Sequence, residues 1–249
     1  MGNEQQEIRR SRDGDALGQA CKREGCPICL VTLERVERVM DFWQYEWASE
    51  MENRQVLIRS KGFCSRHTWQ MTQLTSLPTP FALAMVYRSI FPDLLEDVER
   101  DLAQAKTGRV SGRERFWHKL WRHRRKRSKR ADEIVFFRDC PFCQRQAEIE
   151  QSLTQELLAM LASEEFRSKL STTTGFCLPH LTQAMREAES DAQRIVLLEC
   201  QSACLQHTMG ELEELVRKHD YRFLQEPRGE EMTSWRRAAE LLVGNRGVR

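Results

Sequence analysis

The sequence predicts an all-α protein: two tandem three-helix repeats packed as one pseudo-twofold bundle, followed by an extended segment and a last helix. Three observations predict it. One short pattern is written twice, as Cys26-Pro27-Ile28-Cys29 with Gly62-Phe63-Cys64-Ser65-Arg66-His67, and as Cys140-Pro141-Phe142-Cys143 with Gly175-Phe176-Cys177-Leu178-Pro179-His180. Corresponding residues lie 114 apart in the CPxC halves and 113 apart in the GFCxxH halves. Glycine and proline are sparse, at 12 and 7 of 249 residues, among many Leu, Glu, Arg, Gln and Ala, a helix-forming composition. Apolar residues step by three or four, and no segment alternates with the period of two that a strand needs.

In chain order, residues 1–20 are polar and mixed in charge and read as a disordered lead-in without the apolar stretch of a secretory signal. Residues 21–106 form the first repeat. Leu30, Leu33, Val36, Met40, Trp43 and Trp47 mark a first helix of about five turns after Cys29. A second begins near Cys64 and ends before Pro78 and Pro80, where a helix cannot continue. A third runs from Phe81 to Lys106 and is expected to bury Met85, Tyr87, Ile90, Phe91, Leu94, Leu95, Val98 and Leu102, with Pro92 kinking or restarting it.

Residues 107–131 are a basic insert, and 132–219 the second repeat, with Ile149, Leu153, Leu157, Leu158 and Leu161 on its first helix and Asp191 to His219 as its third. Residues 220–249 have no counterpart in the first half. They read as an extended stretch over Tyr221 to Pro227, then a helix capped by Thr233 or Ser234 and stopped near Gly244.

Each ligand set, Cys26, Cys29, Cys64 and His67 or Cys140, Cys143, Cys177 and His180, holds the three thiols and one imidazole of a tetrahedral zinc site. Two short-spaced pairs supply the two jaws. The expectation is two zinc ions, one per repeat, each closing a loop of 34 or 33 residues between its jaws. Four protein ligands leave no position for a reactive water, so the sites read as structural. An iron-sulfur cluster with one histidine ligand is the alternative. Nine cysteines, an odd count with no export signal, are better read as metal ligands than as a disulfide framework and point to a cytoplasmic protein.

Three cysteines remain. Cys200, Cys204 and His207 share a helix face, but a shift of 113 sets them against Tyr87, Phe91 and Leu94, so they read as core positions and not as a third site. Cys21 is expected at the surface.

The net charge of +2 hides an asymmetry. Lys106 to Arg130 carries +11, leaving −9 for the remainder. Arg122, Arg124, Arg125, Lys126 and Arg127 follow the short apolar stripe of Phe116, Trp117, Leu120 and Trp121. This insert is either a solvated linker or a surface for an acidic protein, a nucleic acid or, peripherally, an anionic membrane. In the tail, Arg222, Glu226, Glu230, Trp235 and Arg236 are candidates for a polar pocket, against the alternative that they latch the C-terminus across the bundle.

The doubled CPxC and GFCxxH motifs, with the tail from Lys218-His219-Asp220-Tyr221-Arg222-Phe223 through Glu226-Pro227-Arg228-Gly229-Glu230 to Ser234-Trp235-Arg236-Arg237-Ala238, resemble a bacterial family of uncharacterised proteins from about Cys26 to Gly244. The basic insert is longer and more cationic than that resemblance implies. The family implies a helical, cytoplasmic protein without an assigned activity. With no phosphate-binding glycine loop, nucleophile elbow or HExxH, the sequence favours a non-catalytic, zinc-stabilised binding or adaptor protein over a thiol-based switch and over an enzyme.

Overall fold

The computed structural model describes residues 12–47, 51–74, 79–106, 140–171, 175–223 and 225–248. Among them are ten α-helices and no strand, so the protein is all-α as its composition requires. Residues 12–20 form α1. Then come α2 (Pro27–Trp47), α3 (Met51–Ser60), α4 (Ser65–Gln73) and α5 (Thr79–Lys106). The second half holds α6 (Pro141–Met160), α7 (Glu164–Ser171), α8 (Leu178–Glu187) and α9 (Asp191–Arg217). Two 3-10 turns, Tyr221–Phe223 and Glu230–Thr233, precede α10 (Ser234–Val243).

The chain divides into two compact units, one of residues 1–36 and 145–249 and one of residues 37–144. These units are not the two sequence repeats, because each boundary falls inside a helix, α2 or α6, that starts at a CPxC motif. In the first unit, Leu17, Ile28, Leu153, Leu157, Leu170, Phe176 and Leu197 are fully buried. In the second, Met40, Leu57, Phe63, Met71, Val86, Ile90 and Phe142 are buried.

Several elements depart from the sequence reading. The lead-in is not disordered over residues 12–20, because Asp13 is buried and joins Arg35 at 2.6 Å and the Ser152 hydroxyl at 2.8 Å, fixing α1 to α2 and α6. Cys21, expected at the surface, is 5% exposed just beyond that helix. Each repeat has a fourth, short helix, α3 or α7, between the first and second predicted ones. Tyr221–Phe223 is a 3-10 turn and not extended, drawn in by the Phe223 N–H to the Asp220 carbonyl at 3.0 Å. The α10 boundaries agree with the sequence, with Thr233 as N-cap and Gly244 ending it at φ 87°.

α5 differs most in its packing. It continues through Pro92 as one helix, yet Phe91, Leu95, Val98 and Leu102, expected on its buried side, are all at least half exposed. Leu83, Val86 and Ile90 face the core instead. On α9, the buried residues Leu197, Cys200 and Cys204 lie 114 positions after them. The third helices therefore align at a shift of 114 and not 113, which pairs Cys200 and Cys204 with Val86 and Ile90. Both thiols are core hydrophobes, and the His207 side chain is 74% exposed, so no third cluster forms.

Candidate metal centres

The GFCxxH motif is built to aim its cysteine and histidine the same way. Gly62 and Gly175 take positive φ, 103° and 86°, a region that side chains disfavour. At Gly175 an added Cβ would also lie 2.8 Å from Cys204 Cβ. The next residue, Phe63 or Phe176, is buried, and Phe176 is pinned through both backbone groups by the Gln201 amide at 2.9 and 3.0 Å. Cys64 and Cys177 are then the N-caps of α4 and α8 in extended conformation, and the histidines follow in the first helical turn. Each thiol sits at the positive end of a helix. The CPxC motif starts α2 or α6 with proline as its first residue, where the absent N–H is not needed.

The eight predicted ligands come together in two clusters, but the jaws are exchanged between repeats. Cys26 and Cys29 meet Cys177 and His180, while Cys64 and His67 meet Cys140 and Cys143. The expected closure of one ion within each repeat is thereby overturned. Each cluster nevertheless lies within one compact unit. Spacing along the chain defines a jaw, because three residues bring two donors onto one ion. It does not define which jaw faces which.

In the first cluster His180 Nδ1 lies 3.5 Å from Cys26 Sγ, 3.3 Å from Cys29 Sγ and 3.2 Å from Cys177 Sγ, and the Cys29 and Cys177 sulfurs are 3.7 Å apart. In the second, His67 Nδ1 lies 3.2 Å from Cys64 Sγ, 3.5 Å from Cys140 Sγ and 3.4 Å from Cys143 Sγ, with 3.5 Å between Cys143 and Cys64. All four donor atoms of each cluster lie within 4.8 Å of one another. A tetrahedral zinc with Zn–S of about 2.3 Å and Zn–N of about 2.0–2.1 Å would hold sulfurs about 3.8 Å apart and a sulfur and nitrogen about 3.6 Å apart. The donor sets fit a single ion.

Their protonation points the same way. Burial and the neighbouring Cys177 sulfur push Cys26 up to about 12, while hydrogen bonds from Cys26 and Cys29 hold Cys177 well below the ordinary thiol range. In the second cluster burial and Cys64 push Cys143 up to about 12. Cys64 itself is lowered: burial opposes its ionisation, but the His67 backbone N–H and the Cys143 and Cys140 thiols outweigh it. One thiolate per cluster is stabilised by the protein, and a divalent ion held there would supply the charge needed to ionise the other two.

The surroundings differ. All four ligands of the first cluster are buried. Behind it, on the ring nitrogen away from the sulfurs, Glu150 Oε2 lies 3.6 Å from His180 Nε2. Glu150 accepts a 2.6 Å hydrogen bond from the Gln146 amide, which also donates to the Val248 carbonyl at 2.8 Å. At 3.6 Å the carboxylate lies just beyond hydrogen-bond reach of that nitrogen, on the side from which a carboxylate would orient a metal-bound imidazole. Sequence reasoning missed Glu150 and Gln146, although their places on the CPxC helix, seven and three residues after Cys143, were available as a signal. The counterpart of Glu150, 114 residues earlier, is Val36.

In the second cluster Cys64 and Cys143 are partly exposed. An aromatic wall backs it: Phe63 stacks on Phe142 at 5.0 Å, Trp43 meets both edge-on at 5.5 and 5.3 Å, and the His67 ring lies 5.9 Å from Phe142.

The tail candidates do not converge on a pocket. Arg222 is exposed and pairs with Asp220 at 2.6 Å, Glu226 pairs with Arg217 at 3.1 Å, and Trp235 is exposed beneath Arg236. Glu230 is exposed, and its backbone carbonyl accepts from Arg237 at 3.0 Å. Other tail residues make the inward contacts. Glu231 meets Lys218 at 2.9 Å, Arg237 meets Glu211 at 2.7 Å and Glu24 at 3.0 Å, and Ser234, Leu241 and Val248 are buried. Arg122, Arg124, Arg125, Lys126 and Arg127 lie outside the described residues, as does the whole of 107–131. No helix among the described residues is long and apolar enough to cross a membrane.

Over residues 15–248 the chain matches the family of unknown function DUF6062, and it belongs to that family. No curated protein and no solved structure matches it.

Proposed function

We propose, from the premise that this family fold has no assigned activity, that the protein is a non-catalytic helical binding or adaptor protein of the bacterial cytoplasm, stabilised by two structural zinc ions. The observation that carries this reading is the closeness of the donors, all four within 4.8 Å in each cluster. An iron-sulfur cluster divides its ligands among different irons and spreads them more widely. Four protein donors also complete the zinc coordination sphere, which favours a structural over a catalytic ion. Zinc-finger peptides draw roughly 10–16 kcal/mol from such an ion at neutral pH, as much as the net stability of a whole domain. The basic insert, with its +11 charge, is the proposed contact for an acidic protein or a nucleic acid.

Metal analysis with an optical spectrum, on untagged protein purified without oxygen, tests the centre of this reading. About two zinc ions per chain in a colourless solution is the expected result. Iron with sulfide and a visible band would overturn it and make electron transfer or sensing the leading class. For the insert, neutral replacements of Arg124, Arg125 and Arg127 are expected to abolish partner binding at unchanged metal content.

A second reading, a thiol-based switch, is favoured by one observation. Cys64 and Cys143 are the partly exposed ligands, and their sulfurs are 3.5 Å apart. Peroxide could oxidise that pair to a disulfide, two thiolates and two protons reducing one peroxide to two waters as the zinc is released. Retention of both metals up to general denaturation would exclude the switch.

A further inference from the structure

The two helices that follow a GFCxxH cysteine are built alike and surfaced differently. His67 and Met71 form the buried side of α4, and His180 and Ala184, 113 residues later, form that of α8. The other side of α4 exposes Ser65, Trp69 and Gln73, with Arg66 partly exposed beside them. At the same shift α8 has Pro179 in place of Arg66 and Thr182 in place of Trp69. The duplicated scaffold thus brings its ligands together without either residue. Trp69 is 64% exposed, and its ring joins no aromatic or cation–π pair among the described residues.

The charge along this part of the chain has one sign. From Asn53 to Pro92 it runs for 40 residues without an aspartate or glutamate, although acids make up 37 of its 249 residues. The same stretch holds Arg54, Arg59, Lys61, Arg66 and Arg88. All of α4 lies within it, whereas α8 ends in Glu187. Arg59 is exposed on the last turn of α3, and only the four residues from Lys61 to Cys64 join that helix to α4. Arg66 and Trp69, three residues apart on α4, are neighbours on the helix surface. An anionic partner meets cations here with no carboxylate of the same stretch to oppose it.

We propose that the outer side of α4 binds single-stranded nucleic acid, with a base stacked on the Trp69 indole, Arg59 and Arg66 holding neighbouring phosphates, and the Gln73 amide reaching a base edge. Every base has a π face, so stacking on one aromatic ring tolerates any sequence. Arginines that hold phosphates release the counterions of the strand, which makes the contact salt-dependent. A duplex hides its base faces and would leave the indole without a role. So would an acidic protein, which needs the cations alone. This contact rests on the reading of the chain as a binding protein, narrows its partner to one class, and stands whether or not the insert also binds.

Fluorescence anisotropy tests it, with the full-length, metal-loaded chain titrated into a labelled oligothymidylate of about 20 nucleotides between about 50 and 200 mM salt. The wild type is expected to bind this strand at least about tenfold more tightly than a duplex of equal length. Trp69→Ala should weaken binding about tenfold at unchanged helicity and metal content, and Trp69→Phe, which keeps a ring, should recover most of the loss. Arg59→Gln should make the plot of log affinity against log salt shallower by about 0.7, the share of one phosphate contact. A wild type that binds neither strand nor duplex overturns the proposal and leaves an acidic protein as the partner of the insert. Binding that Trp69→Ala leaves unchanged overturns the α4 contact alone, and its loss on neutral replacement of Arg124, Arg125 and Arg127 would then place the nucleic acid on the insert. Equal or tighter binding of the duplex overturns the stacking.

Discussion

Glu150 makes the two histidines unequal. A buried carboxylate 3.6 Å from the far nitrogen of His180 is placed to favour the tautomer whose other nitrogen faces the sulfurs. Glu150→Gln keeps the shape but not the charge, and competition with a chromophoric chelator should find the first cluster about 10–100-fold weaker in zinc with the second unchanged. Exposure acts in the opposite sense at the second cluster. With Cys64 and Cys143 partly open to solvent, mild peroxide followed by alkylation and peptide mass spectrometry is expected to find these two cysteines modified before Cys26, Cys29 or Cys177. Every member of the two clusters was legible in the sequence, because CxxC and CxxH are local patterns. Glu150 was not, because a glutamate on a helix is ordinary until the histidine it faces is known. Cys21 was misread for a related reason: its burial depends on α1, whose polar sequence hides the single buried aspartate that anchors it.

At the scale of elements, the helices with clear apolar periods were found and the short ones were not. α3 and α7 have 10 and 8 residues and few apolar side chains, too little for a period to stand out. α5 posed the reverse difficulty, since it has apolar residues on more than one side. Periodicity reports that a stripe exists, and packing decides which stripe is inside. The tail helix is held by charge as much as by area. Arg237, 11% exposed, joins Glu211 on α9 and Glu24 before α2, so Arg237→Ala takes from both carboxylates the guanidinium that they share. Hydrogen exchange across residues 234–243 is expected to rise about tenfold in that variant, with α4 and α5 unaffected.

For the whole molecule, the exchange of jaws was beyond the reach of the sequence. A duplicated motif is equally compatible with closure inside each repeat and with closure across them, and only the paths of α2 and α6 choose. Mutational coupling measures that choice. Cys26→Ser and His180→Ala should be strongly non-additive in their effect on stability, whereas Cys26→Ser and Cys64→Ser should add, because only the first pair shares an ion. Coupling between Cys26 and Cys64 would contradict the arrangement.

Exchanged jaws also set an order of assembly during synthesis. Along the chain the second cluster, from Cys64 to Cys143, is nested inside the first, from Cys26 to His180. A ribosome adding roughly 5–20 residues per second delivers the inner set whole while the outer one still lacks half its ligands. Cys26 and Cys29 of the nascent chain must wait, without their partners, for Cys177 and His180. A chain truncated after residue 160 should therefore retain one ion, at the inner site, and the N-terminal CPxC stays open to wrong partners longest.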